Sequence, residues 1–448
     1  MFKTILFIFI PNFIYLGLFS FIEEQKDLIL LSLIITTIIY WASNLVPLYF
    51  SSLIFLFTAL AFSLASKDVI FSGFSSGAFW LVFAGMLIAT AIKNTNLTLR
   101  FTNLFSNIKN LTYLKLLIYI SIFAVLFSFI MPSSVVRIVL VVPLAIALAS
   151  SLGFQKEDKG FTGIILTFIL CTSLPAFTIL PANVPNMILA GLTKEIYDYE
   201  LLFSYYFIAN FLVLGFIKNI IIVSLVYYFF KDELKNKLEK EEIQDFTKNE
   251  KIVLATIFIM LILWMSDFIH QISPSIIAII GVLFLAFPTI NIIKAKDFNS
   301  INFSSLIYVV AIISLGSIVA NNDFFENALN SLVNQYEPFD LEILNYISIT
   351  SFMSFSGIVI TQPTIPAIFT PIAQQLSDVS AFSLNEVFMM QIAAFSNVFF
   401  PFQAPPLAVG LALSQIKQRD MLKIILLLAL ITIVFLYPLE YFWLSFLR

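Results

Sequence analysis

The chain of 448 residues contains one cysteine, Cys171, and one histidine, His270. A lone thiol makes neither an intrachain disulfide nor a thiolate metal cluster, and a lone imidazole excludes any multi-histidine metal site. Charge is scarce too. Asp, Glu, Lys and Arg make up 11% of the chain, against about 25% in a soluble domain. So few charges cannot cover a water-facing surface of this size, but they suit a surface that faces lipid. The net charge of -3 leaves no basic footprint for nucleic acid. No glycine-rich phosphate loop with a lysine is present, which argues against ATP as the power source. With no HExxH pair and no paired intramembrane aspartates, the chain is not read as an enzyme.

What is present is apolar. Hydrophobic residues make up 60% of the chain, and Phe alone occurs 51 times. A helix crossing the hydrocarbon core needs about 20 apolar residues. Such runs lie near 4–22, 28–43, 46–66, 78–92, 201–230, 251–268, 274–290, 303–320 and 424–447. The first has one preceding charge, Lys3, and no small-residue cleavage site near its end, so it reads as a retained span rather than a signal peptide. Four further segments, 112–152, 161–192, 343–377 and 386–416, are apolar but carry proline and polar residues at their middle. Irregular backbone at membrane depth is tolerated only where it is buried in protein or lines a wet cavity. Function is therefore expected in those four.

The only long polar stretch, Lys231 to Lys251, has six basic and seven acidic residues and divides the chain nearly in half. It reads as a cytoplasmic linker, 231–250, between related halves, 28–230 and 251–448, with 1–27 as a separate first helix. Trp41-Ala-Ser-Asn44 resembles Trp264-Met-Ser-Asp267, and Gly85 matches Gly316. Ser133 precedes Pro143 by ten residues, as Thr361 precedes Pro371. The offset stays between about 220 and 231 residues, and internal repeats of this size mark transporters.

Charge indicates how the repeats sit. The loop at 93–115 carries Lys93, Arg100, Lys109 and Lys115 and no acid, whereas its counterpart at 323–342 carries Asp323, Glu326, Glu337, Asp340 and Glu342 and no base. Basic loops stay cytoplasmic, so equivalent loops fall on opposite sides and the repeats are inverted. Lys294, Lys296, Lys417, Arg419 and Lys423 then lie inside, and Glu23 and Glu24 outside. The amino terminus is cytoplasmic and the carboxyl terminus external. The expected fold is an all-α polytopic membrane protein of two inverted-topology repeats, with about 11 transmembrane helices and two re-entrant helical hairpins.

Both flanks of 112–152 are expected to be cytoplasmic, and both flanks of 343–377 external. Two short helices meeting at a mid-membrane tip, Pro132-Ser133-Ser134 in one and Thr361-Gln362-Pro363-Thr364 in the other, satisfy length and sidedness together. A proline at a helix break frees carbonyls and leaves a new helix N-terminus, which carries partial positive charge suited to an anion. Each half also has a proline-broken span. One holds Pro175, Pro181, Asn183, Pro185 and Asn186, and the other Ser396, Asn397, Pro401, Gln403, Pro405 and Pro406.

Arg137 is the sharpest single residue. It sits in an apolar run with no acid between Asp68 and Glu157, and an arginine at mid-membrane costs roughly 2.5–3.5 kcal/mol on insertion scales. Its partners are backbone carbonyls, a distant carboxylate or an anionic substrate, whose oxygens a guanidinium matches in fork geometry. The bland alternative is snorkelling or a structural pairing. Lys218 reads as structural, His270 as interfacial and Cys171 as packing. Asn94, Asn96 and Asn110 fit a surface amphipathic helix.

These residues resemble the divalent anion:sodium symporter family of the ion transporter superfamily. The likeness covers nearly the whole chain in its order of elements. The family has a Ser-Asn-Thr tip in each hairpin, ten residues before a Pro. Here the tips read Ser133-Ser134-Val135 and Thr361-Gln362-Pro363 at the same spacing. The branch of citrate and plastid dicarboxylate carriers continues its first motif with Ala-Arg, which Val136-Arg137 matches in its arginine. The family's Thr-Pro-Pro-Asn type breaks align with Asn183-Val184-Pro185-Asn186 and Ala404-Pro405-Pro406-Leu407.

The resemblance implies a homodimer in a bacterial inner membrane, with a scaffold and a moving transport domain in each subunit and elevator-type alternating access. It implies dicarboxylate, citrate or sulfate as substrate. The substrate would be held by Ser133, Ser134, Arg137, Asn183, Pro185, Asn186, Thr361, Gln362, Thr364, Pro405 and Pro406. It implies sodium ions at Ser133, Ser134, Asn186, Thr361 and Gln362. Loss of both tip asparagines, and Leu407 in place of Asn, leave sodium, proton and exchange coupling all open. Two function classes follow. The first is a secondary transporter of a small anion, and the alternative is a non-transporting membrane receptor or assembly protein that retains the fold.

Overall fold

A computed structural model describes every residue except 1, 20, 21, 23, 44, 96–110, 132, 236–244, 326, 328–335 and 415. Asn96, Asn110, Arg100 and Lys109 of the basic loop, Pro132 of the first tip, and Glu23, Asn44, Glu326 and the middle of the linker lie outside the described residues.

The described residues are helical, with no strand among them. In lipid the main chain must satisfy its own hydrogen bonds, and a helix does so within one segment. Among the described residues seven helices are long and apolar enough to cross a membrane: Gly77–Asn94, Tyr113–Ile130, Ser134–Ser151, Lys159–Thr178, Phe203–Phe230, Phe303–Ala320 and Gln418–Leu447. Phe9–Leu18, Leu48–Ala61 and Pro274–Ala286 are shorter apolar helices. Each of the nine uninterrupted spans expected from sequence coincides with a helix. Large apolar side chains stand exposed along them, among them Phe258, Ile262, Ile276, Ile280 and Leu283, as lipid contact requires.

The order of elements repeats. Each half ends with a hairpin, a broken helix and a long helix with a π-helical interruption. In the first half these are Tyr113–Ile130 with Ser134–Ser151, Lys159–Ser173 with Val184–Tyr197, and Phe203–Phe230 interrupted at Phe211–Ile217. In the second they are Glu342–Ile360 with Thr364–Phe369 and Ala373–Ser380, Leu384–Ser396 with Pro405–Ser414, and Gln418–Leu447 interrupted at Thr432–Leu436. The hairpins differ. Both arms of the first have 18 residues, about 27 Å at 1.5 Å per residue, longer than the short half-helices expected. Pro143 is absorbed inside Ser134–Ser151, whereas Pro371 falls between two short helices.

The chain folds into two compact units, and each draws on both halves of the sequence. Unit one comprises Met1–Phe79, Met187–Leu201 and Asn302–Gln391. At its centre Phe303–Ala320 packs on Leu48–Ala61 and on the short helices Lys67–Ile70 and Ser72–Ser75. Ser72 donates to Ser317 Oγ at 3.1 Å. The approach at Gly73 is so close that a Cβ there would lie 2.3 Å from the Val310 carbonyl oxygen. Trp41 donates to Ser52 Oγ at 3.2 Å and sets its ring edge-on to Tyr308, 5.0 Å between centroids.

Unit two comprises Trp80–Asn186, Leu202–Ile301 and Ile392–Arg448. Its centre is Lys159–Ser173, buried at every residue from Gly160 to Ser173. Both arms of the first hairpin and Lys218–Phe230 pack on it, and Pro405–Ser414 packs on Ser134–Ser151. Trp264, the counterpart of Trp41, donates to the Pro274 carbonyl at 3.1 Å. Asp267 caps the start of Phe203–Asn210 by accepting from Phe203 N at 2.5 Å and from Ser204 Oγ at 2.5 Å. The linker is anchored at both ends. Asp232 accepts from Gly160 N at 2.9 Å, and Lys235 pairs with Asp158 at 2.5 Å. At the far end Thr247 and Glu250 form a capping box for Lys248–Met265.

Candidate functional site

Unit two contains both helix breaks. After Ser173 the first broken helix unwinds through two 3-10 turns, Pro175–Thr178 and Leu180–Ala182, each with a proline in its first positions. The second unwinds after Ser396 through Asn397 and one turn, Pro401–Gln403, before Pro405–Ser414 begins. Proline cannot donate to the carbonyl one helical turn behind it, so each break leaves acceptors that need other donors. Phe177 of the first break and Phe395 beside the second set their rings against each other at a tilt of 50°, 5.7 Å between centroids.

Side chains supply those donors. Arg137 is wholly buried. Its Nη1 donates to the Met131 carbonyl at 2.5 Å and the Ala182 carbonyl at 3.0 Å, and its Nη2 to the Thr172 carbonyl at 3.4 Å. Met131 and Thr172 stand at the C-terminal ends of Tyr113–Ile130 and Lys159–Ser173, where helix dipoles favour a cation. Turned so that both its ends are satisfied, the Asn183 carboxamide donates to Ser134 Oγ at 3.1 Å and accepts from Phe177 N at 3.2 Å. Asn186 donates to the Ala176 and Ile179 carbonyls at 3.1 and 2.8 Å, and Tyr206 donates to the Phe177 carbonyl at 2.7 Å. At the second break Lys218 donates to the Ser396 carbonyl at 2.7 Å, and Gln403 Oε1 accepts from Phe399 N and Phe400 N at 2.8 and 2.7 Å.

Arg137 thus occupies the carbonyl ends and leaves the amide end open. Ser133 begins Ser134–Ser151 with no side-chain cap. The Arg137 N–H donates to the Ser133 carbonyl at 2.9 Å and closes the first turn of that helix. Val135 and Val136 of the first turn are each 36% exposed, whereas Ser134 and Arg137 beside them are buried. Within the breaks, buried polar atoms remain without a partner: Asn186 Oδ1, both amide atoms of Asn397, and Gln403 Nε2.

Of the expected residues, unit two brings together Ser133, Ser134, Arg137, Asn183, Pro185 and Asn186, with Pro405 and Pro406 opening the helix packed on Ser134–Ser151. Thr361, Gln362 and Thr364 belong to unit one. There Thr361 takes φ 68 and ψ 158, a region that a β-branched residue rarely adopts. The Tyr308 hydroxyl is within hydrogen-bonding reach of Thr361 and Thr364. Gln362 is fully buried with neither amide atom partnered. Tyr197 donates to the Thr370 carbonyl at 2.8 Å, holding the second kink.

Sequence reading missed Tyr206, Tyr308 and Glu440, and passed over Asn397, Gln403 and Lys218 as site residues. Glu440 was findable by the rule that singled out Arg137, since it is an isolated charge in a long apolar run. The tyrosines carry no such signal.

The family model for the sodium:sulfate symporter transmembrane region matches residues 1–448. The chain belongs to this family. It is 21% identical over 435 residues to an uncharacterized transporter of Haemophilus influenzae, covering 93% of this chain and 92% of that protein. It shares its fold with the YdaH transporter of Alcanivorax borkumensis, whose crystal structure is described as having an unusual topology. The TM-score is 0.57 at 13% identity, over 85% of this chain and 88% of that one. The protein is therefore an integral membrane transporter of the sodium:sulfate symporter family.

The family's name raises the question of sodium. At the first tip the carbonyls of Met131, Thr172 and Ala182 accept from Arg137, so a sodium ion at Ser133 or Ser134 would sit beside a fixed positive charge. At the second tip Gln362 keeps an unpartnered oxygen.

Proposed function

We propose that the protein is a secondary transporter of a small anion, a di- or tricarboxylate, and that the anion is held at the uncapped start of Ser134–Ser151. The observation that carries this reading is the division of labour around Arg137. The guanidinium neutralises two helix C-termini, while the start of Ser134–Ser151 has no side-chain cap. Such an end binds carboxylates and sulfate alike. Arg137, wholly buried, acts on the anion through its field and by holding the break in shape. The unpartnered Asn186 Oδ1 and Gln403 Nε2 and both amide atoms of Asn397 supply further polar groups for a ligand or for the water that accompanies it.

Family membership supports alternating access, and the elevator form, the homodimer and the cytoplasmic amino terminus are part of the same proposal. In it the hairpins 112–152 and 343–377 are re-entrant. The test is a thermal-shift screen of purified protein against succinate, malate, citrate, tartrate and sulfate, each with and without sodium. Counterflow of the best ligand in proteoliposomes follows. Stabilisation by one dicarboxylate with matching counterflow is expected. Stabilisation without counterflow would favour a receptor.

A further inference from the structure

Glu440 is wholly buried, and neither oxygen of its carboxyl group has a hydrogen-bond partner. A carboxylate placed in an apolar interior without donors is strongly disfavoured against its protonated form. Lys218 is buried as well, at 1% exposure, but its ammonium is engaged elsewhere, on the Ser396 carbonyl at 2.7 Å and Ser396 Oγ at 3.4 Å. It acts on Glu440 through space alone.

The two residues hold equivalent places in the repeated halves. Lys218 directly follows the π-helical segment Phe211–Ile217. Glu440 lies in Tyr437–Leu447, which directly follows the π-helical segment Thr432–Leu436. π-bulges inside helices cluster at functional sites, and ionisable residues inside a membrane mark ion paths and proton relays.

We propose that Glu440 binds the coupling proton of transport and that Lys218 carries its effect to the second helix break. One proton from water forms an O–H bond on the Glu440 carboxylate and later returns to water on the opposite side; no electron moves. With Glu440 ionised, the pair is neutral. With Glu440 protonated, the ammonium is uncompensated where Leu384–Ser396 unwinds, and its field makes the start of Ser134–Ser151, on which Pro405–Ser414 packs, more attractive to the anion. Anion binding then favours proton binding by the same factor, which is the thermodynamic condition for symport.

A proton suits this place better than a sodium ion. A hard metal cation needs several oxygen ligands, and among the described residues no group of three Asp, Glu, His or Cys could hold one. The ammonium would also repel it. The helix of Glu440 packs on Phe203–Asn210, which offers Tyr205 and Tyr206, and on Phe211–Ile217, which offers no titratable group. On its own helix Tyr437 donates to the Ala393 carbonyl at 3.4 Å, and Tyr441 is the other titratable side chain. Helices packed on that of Lys218 add Cys171 on Lys159–Ser173 and Tyr113 at the start of Tyr113–Ile130. Arg419, Asp420 and Lys423 lie near the start of Gln418–Ile431. Among the described residues Lys218 is the charged group that acts on Glu440.

The proposal rests on the anion-transport reading, so its test has two readouts. Counterflow of the ligand found by thermal shift is measured in mildly acidic and mildly alkaline buffer, without sodium. The wild type is expected to slow by about tenfold or more on the alkaline side, Glu440→Gln to lose that pH dependence, and Glu440→Asp to shift its midpoint. Infrared difference spectra of the purified protein between the two buffers read the proton directly. A carboxyl C=O band present in the wild type and missing from Glu440→Gln is expected. Should the wild type show that band but no counterflow, the transport reading falls and the proton site stands. Identical spectra, or identical pH profiles in wild type and both variants, would overturn the proton site. So would counterflow that needs sodium and ignores pH. If Glu440→Gln fails to fold, Glu440→Asp alone must shift both the band and the profile.

Discussion

Arg137 Nη1 reaches the carbonyl oxygen of Ala182 at 3.0 Å, so one side chain ties the second arm of the first hairpin to the unwound strand of the first broken helix. The same guanidinium holds Met131 and Thr172. Arg137→Met would strip the donor from three main-chain acceptors, and a buried acceptor left unsatisfied costs about 1–3 kcal/mol. The variant is expected to lose about 3 kcal/mol or more of stability, seen as a clear fall in unfolding temperature in detergent without any ligand. Arg137→Lys should recover only part, because a single ammonium does not reproduce the planar fork. An Arg137→Met protein that melts with the wild type would mean that these contacts do not hold the break.

Thr361 sits at φ 68, where glycine is at ease and a β-branched residue is strained. Thr361→Gly removes that strain but frees the unfolded chain, and these effects oppose each other. A thermal stability within about 1 kcal/mol of wild type is expected, together with weaker ligand stabilisation, since the hydroxyl shared with Thr364 and Tyr308 is lost. Thr361→Ala keeps the strain and loses the hydroxyl, so it should melt below Thr361→Gly. The reverse order in a melting experiment would show that the backbone there is relaxed.

Gly73 is a matter of space. The atom a Cβ would meet at 2.3 Å is a main-chain oxygen of Val310 in the central helix of unit one, which cannot swing aside as a side chain would. Gly73→Ala is expected to cost about 1–3 kcal/mol through overpacking, with Gly73→Val worse. Expression level and unfolding temperature read the effect, and the neighbouring Ser75→Ala, at an exposed position, serves as the control that should change little.

The long apolar spans were legible because lipid demands a helix of known length, so position along the chain was enough. The breaks were legible for a related reason: Pro175, Pro181, Pro401 and Pro405 each remove a donor, and the turns formed at those residues. The first hairpin was legible in place but not in length, since nothing in Ser134–Ser151 signals that the helix continues through Pro143. The partners of Arg137 were open in sequence because carbonyls belong to no residue type. The arginine that an anion was expected to meet donates from both Nη atoms to main-chain carbonyls and keeps Nε without a partner. Asn397 and Gln403 were visible as polar residues in a break, yet only packing shows that one has no partner and the other caps two amides. The two compact units each collect segments from both halves, an interleaving that a linear division at the linker does not reveal.

The linker's attachment gives a prediction about acid. Asp158 accepts from Lys235 at 2.5 Å and from Gln155 N at 2.7 Å. The hydrogen bond from Lys235, then that from Gln155, holds its carboxyl below the ordinary value of 3.8. A carboxyl depressed in the folded state adds stability above its unfolded pKa, and that stability is lost as pH falls through the folded one. The tether is exposed, so the contribution is small and screened by salt. Asp158→Asn is therefore expected to melt slightly below wild type at neutral pH and low salt. The gap should narrow in high salt and close once pH has dropped past the depressed value. Lys235→Met should behave in the same way, and the double variant should add little to either single one, because both remove one interaction. A gap that persists unchanged into strong acid would show that Asp158 acts there through something other than its charge.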